Sequence, residues 1–224
     1  MANAALLSAS ILCADLLDLK QDLQALQHQG LDYLHFDIMD GHFVPGFGLN
    51  AHLLRQLARR QPIPVEAHLL VADPERHIPA VADAGAVMIT FHYEAQPEVG
   101  CLAEQIRKRG LRAGVGVNPE TPVTVLEPFL DVLDLVLIMC YPPGGPSREP
   151  LPGTYQRVVD LRDMALSANR PNLLIALDGG LSEQYIARFL ALGANFFVLG
   201  TTGLFKPAVR LEEQLKRVQE ILGR

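Results

Sequence analysis

The stretch "YLHFDIMDGHFVP" (33–45) begins as a short apolar run and ends in a turn, and it sets two histidines and two aspartates within eight positions. Runs of the same kind recur along the chain: "LLSASI" (6–11), "VEAHLL" (65–70), "VMITFH" (87–92), "RAGVGV" (112–117), "LVLIMC" (135–140), "LLIAL" (173–177) and "FFVLG" (196–200). Continuous rather than alternating hydrophobicity over so short a span suits strands covered on both faces, as in a parallel sheet. Between the runs lie stretches of helical period. "DLLDLKQDLQALQHQG" (15–30) carries Leu16, Leu19, Leu23 and Leu26 at steps of three and four, with Gly30 as a stop. "SEQYIARFLALGA" (182–194) opens with Ser182 as an N-cap and closes at Gly193. "DPERHIPAVADAGA" (73–86) takes Asp73 as a cap and Pro74 at the first helical position, and Pro79 predicts a kinked or short helix. "AVRLEEQLKRVQEIL" (208–222) closes the chain with apolar residues at helical spacing.

Strands alternating with helices in this number leave a closed (β/α)8 barrel, the TIM barrel, or an open doubly wound sheet. "SASILCAD" (8–15) contains no glycine, which the turn of a dinucleotide site requires after its first strand. The barrel is therefore expected, and with no low-complexity linker it spans 1–224 as one domain. The net charge of −6 gives no hint of a nucleic-acid surface. No segment approaches the roughly 20 apolar residues that span a bilayer. The N-terminus lacks the basic start of a secretory signal, and Cys13, Cys101 and Cys140 are odd in number without a CxxC. A cytoplasmic protein with reduced thiols is expected.

In such a barrel the C-terminal strand ends form the active face. Ser10, His35, Asp37, His68, His92, Asn118 and Asp178 all fall in or just beyond apolar runs. A lone histidine in a strand is more often a hydrogen-bonded core residue than a ligand. Several at equivalent strand ends make a different case. His35 and Asp37 are two apart and share a face, as do Glu66 and His68. Two imidazoles and two carboxylates suit one divalent ion such as Zn²⁺, Fe²⁺, Mn²⁺ or Co²⁺. Asp40, before a glycine, is as good a turn former as a catalyst. His28, His42, His52 and His77 are expected to be exposed or structural. For a phosphate group, "DGG" (178–180) and "GTTG" (200–203) follow the seventh and eighth strands, and Gly180, Gly200 and Thr201 are the favoured backbone contacts.

These motifs resemble those of the ribulose-phosphate 3-epimerases. "SASILCADLLDL" is similar to their "PSILSAD" opening, "HFDIMDGHFVP" to their second-strand signature, and "EAHLLV" to "DVHLMV". "FHYEA", "VGVNPETP", "LIALDGGLS" and "FFVLGTTGLF" correspond in order to the later motifs, so the likeness runs from about residue 6 to 205. It implies a phosphate-binding barrel that epimerises a ketose phosphate at C3 and is often oligomeric, so that a homo-oligomer is expected. The metal ligands would be His35, Asp37, His68 and Asp178, with Asp37 and Asp178 as the acid/base pair. Ser10 and His68 would touch the substrate, and Met39 and Met139 would line the reaction centre; Leu70 stands where the family has a third methionine. Removing the C3 proton gives an enediolate, whose charge a metal stabilises, and inversion needs a carboxylate on each face.

After the sixth strand the family's "MTVNPGFGGQKFIP" reads "MCYPPGGPSREPLP" (139–152) here. Gly144 matches a family glycine, but Pro146 and Ser147 replace the pair that closes over phosphate, and Ser147 by its hydroxyl and Arg148 by its charge are expected to substitute for the lost donor. Tyr141 also replaces a smaller residue. The expected reaction interconverts D-ribulose 5-phosphate and D-xylulose 5-phosphate. A 3-epimerase of D-allulose 6-phosphate and a non-catalytic sugar-phosphate-binding barrel are the alternatives. The Asp-x-Lys-x-x-Asp signature of related decarboxylases and synthases is missing, since "DIMDG" has no lysine.

Overall fold

The computed structural model describes residues 5–145 and 149–224. Eight parallel strands close into a barrel in chain order. They are β1 (Leu6–Ser10), β2 (Tyr33–Met39), β3 (Val65–Leu70), β4 (Met88–His92), β5 (Arg112–Val117), β6 (Leu135–Met139), β7 (Leu174–Asp178) and β8 (Phe196–Leu199). Every expected strand is present, with ends shifted by about a residue. Among the described residues the outer ring holds α1 (Leu19–His28), α2 (Ala51–Arg60), α3 (Pro74–Ala84), α4 (Val99–Lys108), α5 (Gly153–Ser167), α6 (Glu183–Leu192) and α7 (Leu211–Ile221). No helix of the described residues is long and apolar enough to cross a membrane.

The connection from β5 to β6 departs from the expected alternation. Val123–Phe129 forms a 3₁₀ segment where the pattern calls for an α-helix. Pro122 precedes it and Pro128 lies inside it, and each removes a backbone donor that an α-helix needs. Two expected caps also fail. Ser182 and Asp73 occupy the N-cap positions of α6 and α3 without a side-chain cap hydrogen bond, and Asp73 pairs instead with Arg76 at 2.8 Å. Asn50 does cap α2, its Oδ1 accepting the Leu53 N–H at 3.1 Å. Pro79 is accommodated within an α3 of 11 residues, so the helix is not short.

Apolar packing occurs in two layers. The larger lies between the barrel and its helices, where Phe36, Phe91, Phe189 and Phe197 are fully buried. The smaller fills the barrel beneath β6, β7 and β8 with Leu135, Leu137, Leu174, Ala176, Phe196 and Val198. Buried side chains of these kinds contribute about 1.5–3 kcal/mol each relative to exposure.

One device recurs at the base of the barrel. Asp32, Asp134 and Asn195 each stand immediately before a strand, β2, β6 and β8. Their side-chain oxygens accept the backbone N–H of Leu7, Ala113 and Ile175 at 2.9, 2.9 and 2.8 Å. Each donor is the second residue of the preceding strand, so the bond pins neighbouring strands in register at the face away from the polar strand ends. Asp134→Ala is therefore expected to lower unfolding free energy by about 1–3 kcal/mol, the range for leaving a buried N–H, here that of Ala113, without its partner. Urea titration checks this, and a loss under about 0.5 kcal/mol would show that the pin adds nothing measurable.

Candidate metal centre and active site

The inner faces of β2, β3 and β4 carry an unusual load for a barrel interior. His35, Asp37, Glu66, His68, Thr90 and His92 are all buried. Strand register places them side by side: His35 opposite Glu66 and Asp37 opposite His68, then His68 opposite Thr90. Basic and acidic groups thus alternate across the sheet, which is how so many polar groups can leave water together.

The geometry closes on a small space. His35 Nε2, His68 Nδ1 and Asp37 Oδ1 form a triangle with edges of 3.2, 3.0 and 3.0 Å. Asp178, from the end of β7, brings Oδ2 to 3.7 Å from His35 Nε2. One ligand atom from each of these four residues lies within 4.8 Å of all the others. Ligands about 2.1 Å from a common ion stand roughly 3.0–3.4 Å apart at angles of 90–109°. The triangle has that size, so the donor set fits a single divalent cation. Ser10 hydroxyl donates to the second oxygen, Asp37 Oδ2, at 3.1 Å and orients the carboxylate.

Charge balance explains the perturbed acidities. Burial works against ionising Asp37, and His35 and His68 outweigh it, holding the carboxyl far below its ordinary range. Burial likewise opposes a charged His35, yet Glu66 and Asp37 keep that imidazole well above its usual value. Asp178 moves the other way. Burial pushes it up to about 6, with the Asp37 charge adding to the rise and His35 opposing it. The two carboxylates are thereby driven apart in proton affinity. Asp37 requires positive charge beside it, a part that a proton on imidazole plays and that a divalent cation takes over on binding.

The cluster opens into two adjoining cavities at the strand ends. One, of about 320 Å³, is lined by Asp37, Met39, Leu70, Met139, Gly144 and Asp178 among others. The second, of about 230 Å³, reaches the ends of β7 and β8 and is lined by Gly179, Gly180, Gly200 and Thr201. Ser10, Cys13, Tyr141 and Asp178 border both. Gly179 and Gly180 have φ of +114° and +67°, where side chains are strained, so the "DGG" turn needs both glycines. A Cβ at Gly179 would stand 2.8 Å from Tyr141 Cε1, which places the tyrosine ring against this turn. A larger groove of about 460 Å³ runs outside the barrel between α1 and α2, with no acid or histidine in its lining.

The structure brings together His35, Asp37, His68 and Asp178, and borders the same mouth with Ser10, Met39, Met139, Gly144, Gly179, Gly180, Gly200 and Thr201. Ser147 and Arg148 lie outside the described residues. Glu66, which shares a face with His68, is not one of the four: it sits behind His35, its Oε2 2.5 Å from His35 Nδ1 and its Oε1 accepting the Thr90 hydroxyl at 2.8 Å. Asp40 proves to be a turn former, accepting the N–H groups of His42, Phe43 and Ala72 at 2.8–2.9 Å. His28, His42 and His52 are exposed and His77 half-buried, away from the cluster. Cys13 and Phe47 at the mouth escaped the sequence reading, since nothing in the spacing of a loop thiol or a loop phenyl ring marks it as lining a cavity.

Comparison with known proteins places this arrangement. The model of the ribulose-phosphate 3 epimerase family matches residues 6–205. A ribulose-phosphate 3-epimerase of Bacillus subtilis is 34% identical over 214 residues, covering 96% of each chain. One of Buchnera aphidicola is 37% identical over 205 residues, covering 91% of this chain and 89% of its own. Among solved structures, 3-keto-L-gulonate-6-phosphate decarboxylase of Vibrio cholerae superposes with a TM-score of 0.71 over 99% of both chains, but at 9% identity it shares the fold alone. The chain belongs to the ribulose-phosphate 3-epimerase family.

Proposed function

We propose that this protein is a metal-dependent ketose-phosphate 3-epimerase that interconverts D-ribulose 5-phosphate and D-xylulose 5-phosphate. The observation that carries the reading is the pair Asp37 and Asp178. They come from strands three steps apart around the ring, meet at one buried cluster, and differ in proton affinity in opposite directions. Epimerisation at C3 requires such a pair, because the proton leaves one face and another arrives on the opposite face. Asp37, held ionised and oriented by Ser10, accepts the proton; Asp178, whose carboxyl retains a proton more readily, supplies the replacement. In the reverse direction the roles exchange. His35 and His68, with the two aspartates, would hold a divalent cation, which supplies Lewis-acid stabilisation of the negative charge on the substrate oxygens. Met39, Met139 and Leu70 face the reacting carbons with apolar surface and offer no competing proton. The turn Gly179–Gly180 and the Gly200–Thr201 loop take the phosphate end. A pure binder gains nothing from two carboxylates forced together, which sets the non-catalytic reading aside.

D-Allulose 6-phosphate is the second substrate to test, because Tyr141 stands on the wall common to both cavities, between the carboxylates and the phosphate end. Turnover of both sugars on metal-analysed protein tests the proposal, and no turnover of either ketose phosphate overturns it. Asp37→Asn and Asp178→Asn are each expected to lower kcat by about 10²–10⁴, the usual contribution of a positioned acid or base. Solvent deuterium entry at C3 should fall in parallel while circular dichroism stays unchanged; near-native exchange in either variant removes that residue from the pair. Exhaustive chelation is expected to abolish turnover, with recovery on adding Zn²⁺, Mn²⁺, Co²⁺ or Fe²⁺. Full activity in protein shown by elemental analysis to be free of metal would eliminate the Lewis-acid role.

A further inference from the structure

Behind His68, on the side away from the carboxylate cluster, a second line of hydrogen bonds runs from β3 through β4 to the turns that follow β4 and β5. His68 Nε2 stands 2.9 Å from His92 Nε2, and His92 Nδ1 stands 3.1 Å from Glu94 Oε2. The other oxygen, Glu94 Oε1, accepts the backbone N–H of Asn118 at 2.7 Å and the Thr121 hydroxyl. Two ring nitrogens facing each other share one proton, so the group at the far end decides which ring carries it. Burial opposes a charge on Glu94, but the bonds from His92, Thr121 and Asn118 outweigh it and hold the carboxyl down at about 2, so it is ionised and can only accept. Glu94 Oε2 therefore takes the N–H of His92 Nδ1. Neutral His92 then has a bare Nε2 and accepts the proton of His68 Nε2. With a cation between His68, Asp37 and His35, that leaves His68 Nδ1 bare, and Nδ1 is the nitrogen that faces the other two.

We propose that Glu94 and His92 are positioning residues that hold His68 in the one tautomer able to bind a cation through Nδ1. The proposal rests on the metal role given to the cluster above. Metal-bound histidines generally donate their other N–H to such a partner, and the partner commonly alters affinity by about 10–100-fold. His35 has a counterpart in Glu66 and Thr90, but presents the opposite nitrogen, Nε2. Each histidine is thus set separately, by a different carboxylate.

A second observation comes from β5. A Cβ at Gly116 would lie 3.0–3.2 Å from three atoms of the His92 ring, and one at Gly114 would lie 2.5 Å from Thr90 Oγ. Neither glycine has a positive φ, so the backbone does not call for them. Strand β5 forgoes two side chains in the barrel interior, and the room goes to the two residues of β4 that support the histidines.

The test uses the full chain and Co²⁺ affinity measured by competition with a chelator, which needs no turnover. His92→Phe keeps a ring in place and removes the acceptor, and Glu94→Gln removes the ionised end; both are expected to weaken Co²⁺ by at least about tenfold. His92→Gln keeps an acceptor oxygen and should stay within about threefold of the native chain. Native affinity in His92→Phe overturns the relay while leaving the metal site standing. No Co²⁺ binding by the native chain overturns the metal role and the relay with it. Should the variants unfold, imidazole ¹⁵N shifts of the native chain loaded with Zn²⁺ decide the matter: a proton on His92 Nδ1 is expected, and a proton on Nε2 instead refutes the relay.

Discussion

A buried carboxylate must have positive charge beside it, and inside this barrel two stand almost sealed from water. Asp37 is 6% exposed and Glu66 1%. The penalty for such burial is several kcal/mol per ion unless partners are in place. Strand register supplies them by setting His35 opposite Glu66 and Asp37 opposite His68. The compensation is close but incomplete in one respect. The donor atoms of His35, His68 and Asp37 converge on a common point rather than pairing off, so a single cation at that point satisfies all three at once. The same low-polarity surroundings that make an unpaired charge costly make a centrally placed one effective.

Much of the remaining architecture follows from protecting that arrangement. The apolar fill beneath β6, β7 and β8 keeps water from one side. Gly114 and Gly116 leave space for the groups that anchor the histidines. The strand pins at Asp32, Asp134 and Asn195 lie at the other end of the barrel, where register can be secured without any role at the mouth. Stability and chemistry are assigned to opposite ends, as the barrel fold permits. A register slip of one residue would turn His35 and Asp37 to the outside, so the pins also protect the site.

The strands and the core of the cluster were legible because they depend on periodicity. An apolar run marks a buried strand, and a spacing of two puts His35 with Asp37, and Glu66 with His68, on one face. Spacing says nothing about depth: Glu66 shares a face with His68, yet its carboxylate meets the back of His35. Asp178 as fourth member came from family resemblance, since no local pattern ties β7 to β2. Capping was misjudged for a related reason. Ser182 and Asp73 have the right residue types, but a polar side chain bonds to the best partner in reach, and for Asp73 that is Arg76. The 3₁₀ segment after β5 was signalled by Pro122 and Pro128, a signal that the regular alternation of the chain obscured.

What separates one ketose phosphate from another cannot lie at the cluster itself. The atoms at C2 and C3 are alike in a pentulose 5-phosphate and a hexulose 6-phosphate, and the same two carboxylates serve either. Discrimination has to come from the distance between the carboxylates and the phosphate end, which an additional carbon lengthens. Along that line stand Tyr141 and Gly179, packed so closely that no larger residue fits at Gly179 without moving the ring. Gly144, which lines the first cavity, lies against Val44, where a Cβ would come within 2.7 Å of the valine Cβ. The Tyr141–Gly179 contact common to the two cavities therefore has little slack, and a close-packed boundary responds to a single methylene. Tyr141, which borders both cavities, is the side chain best placed to register that additional carbon.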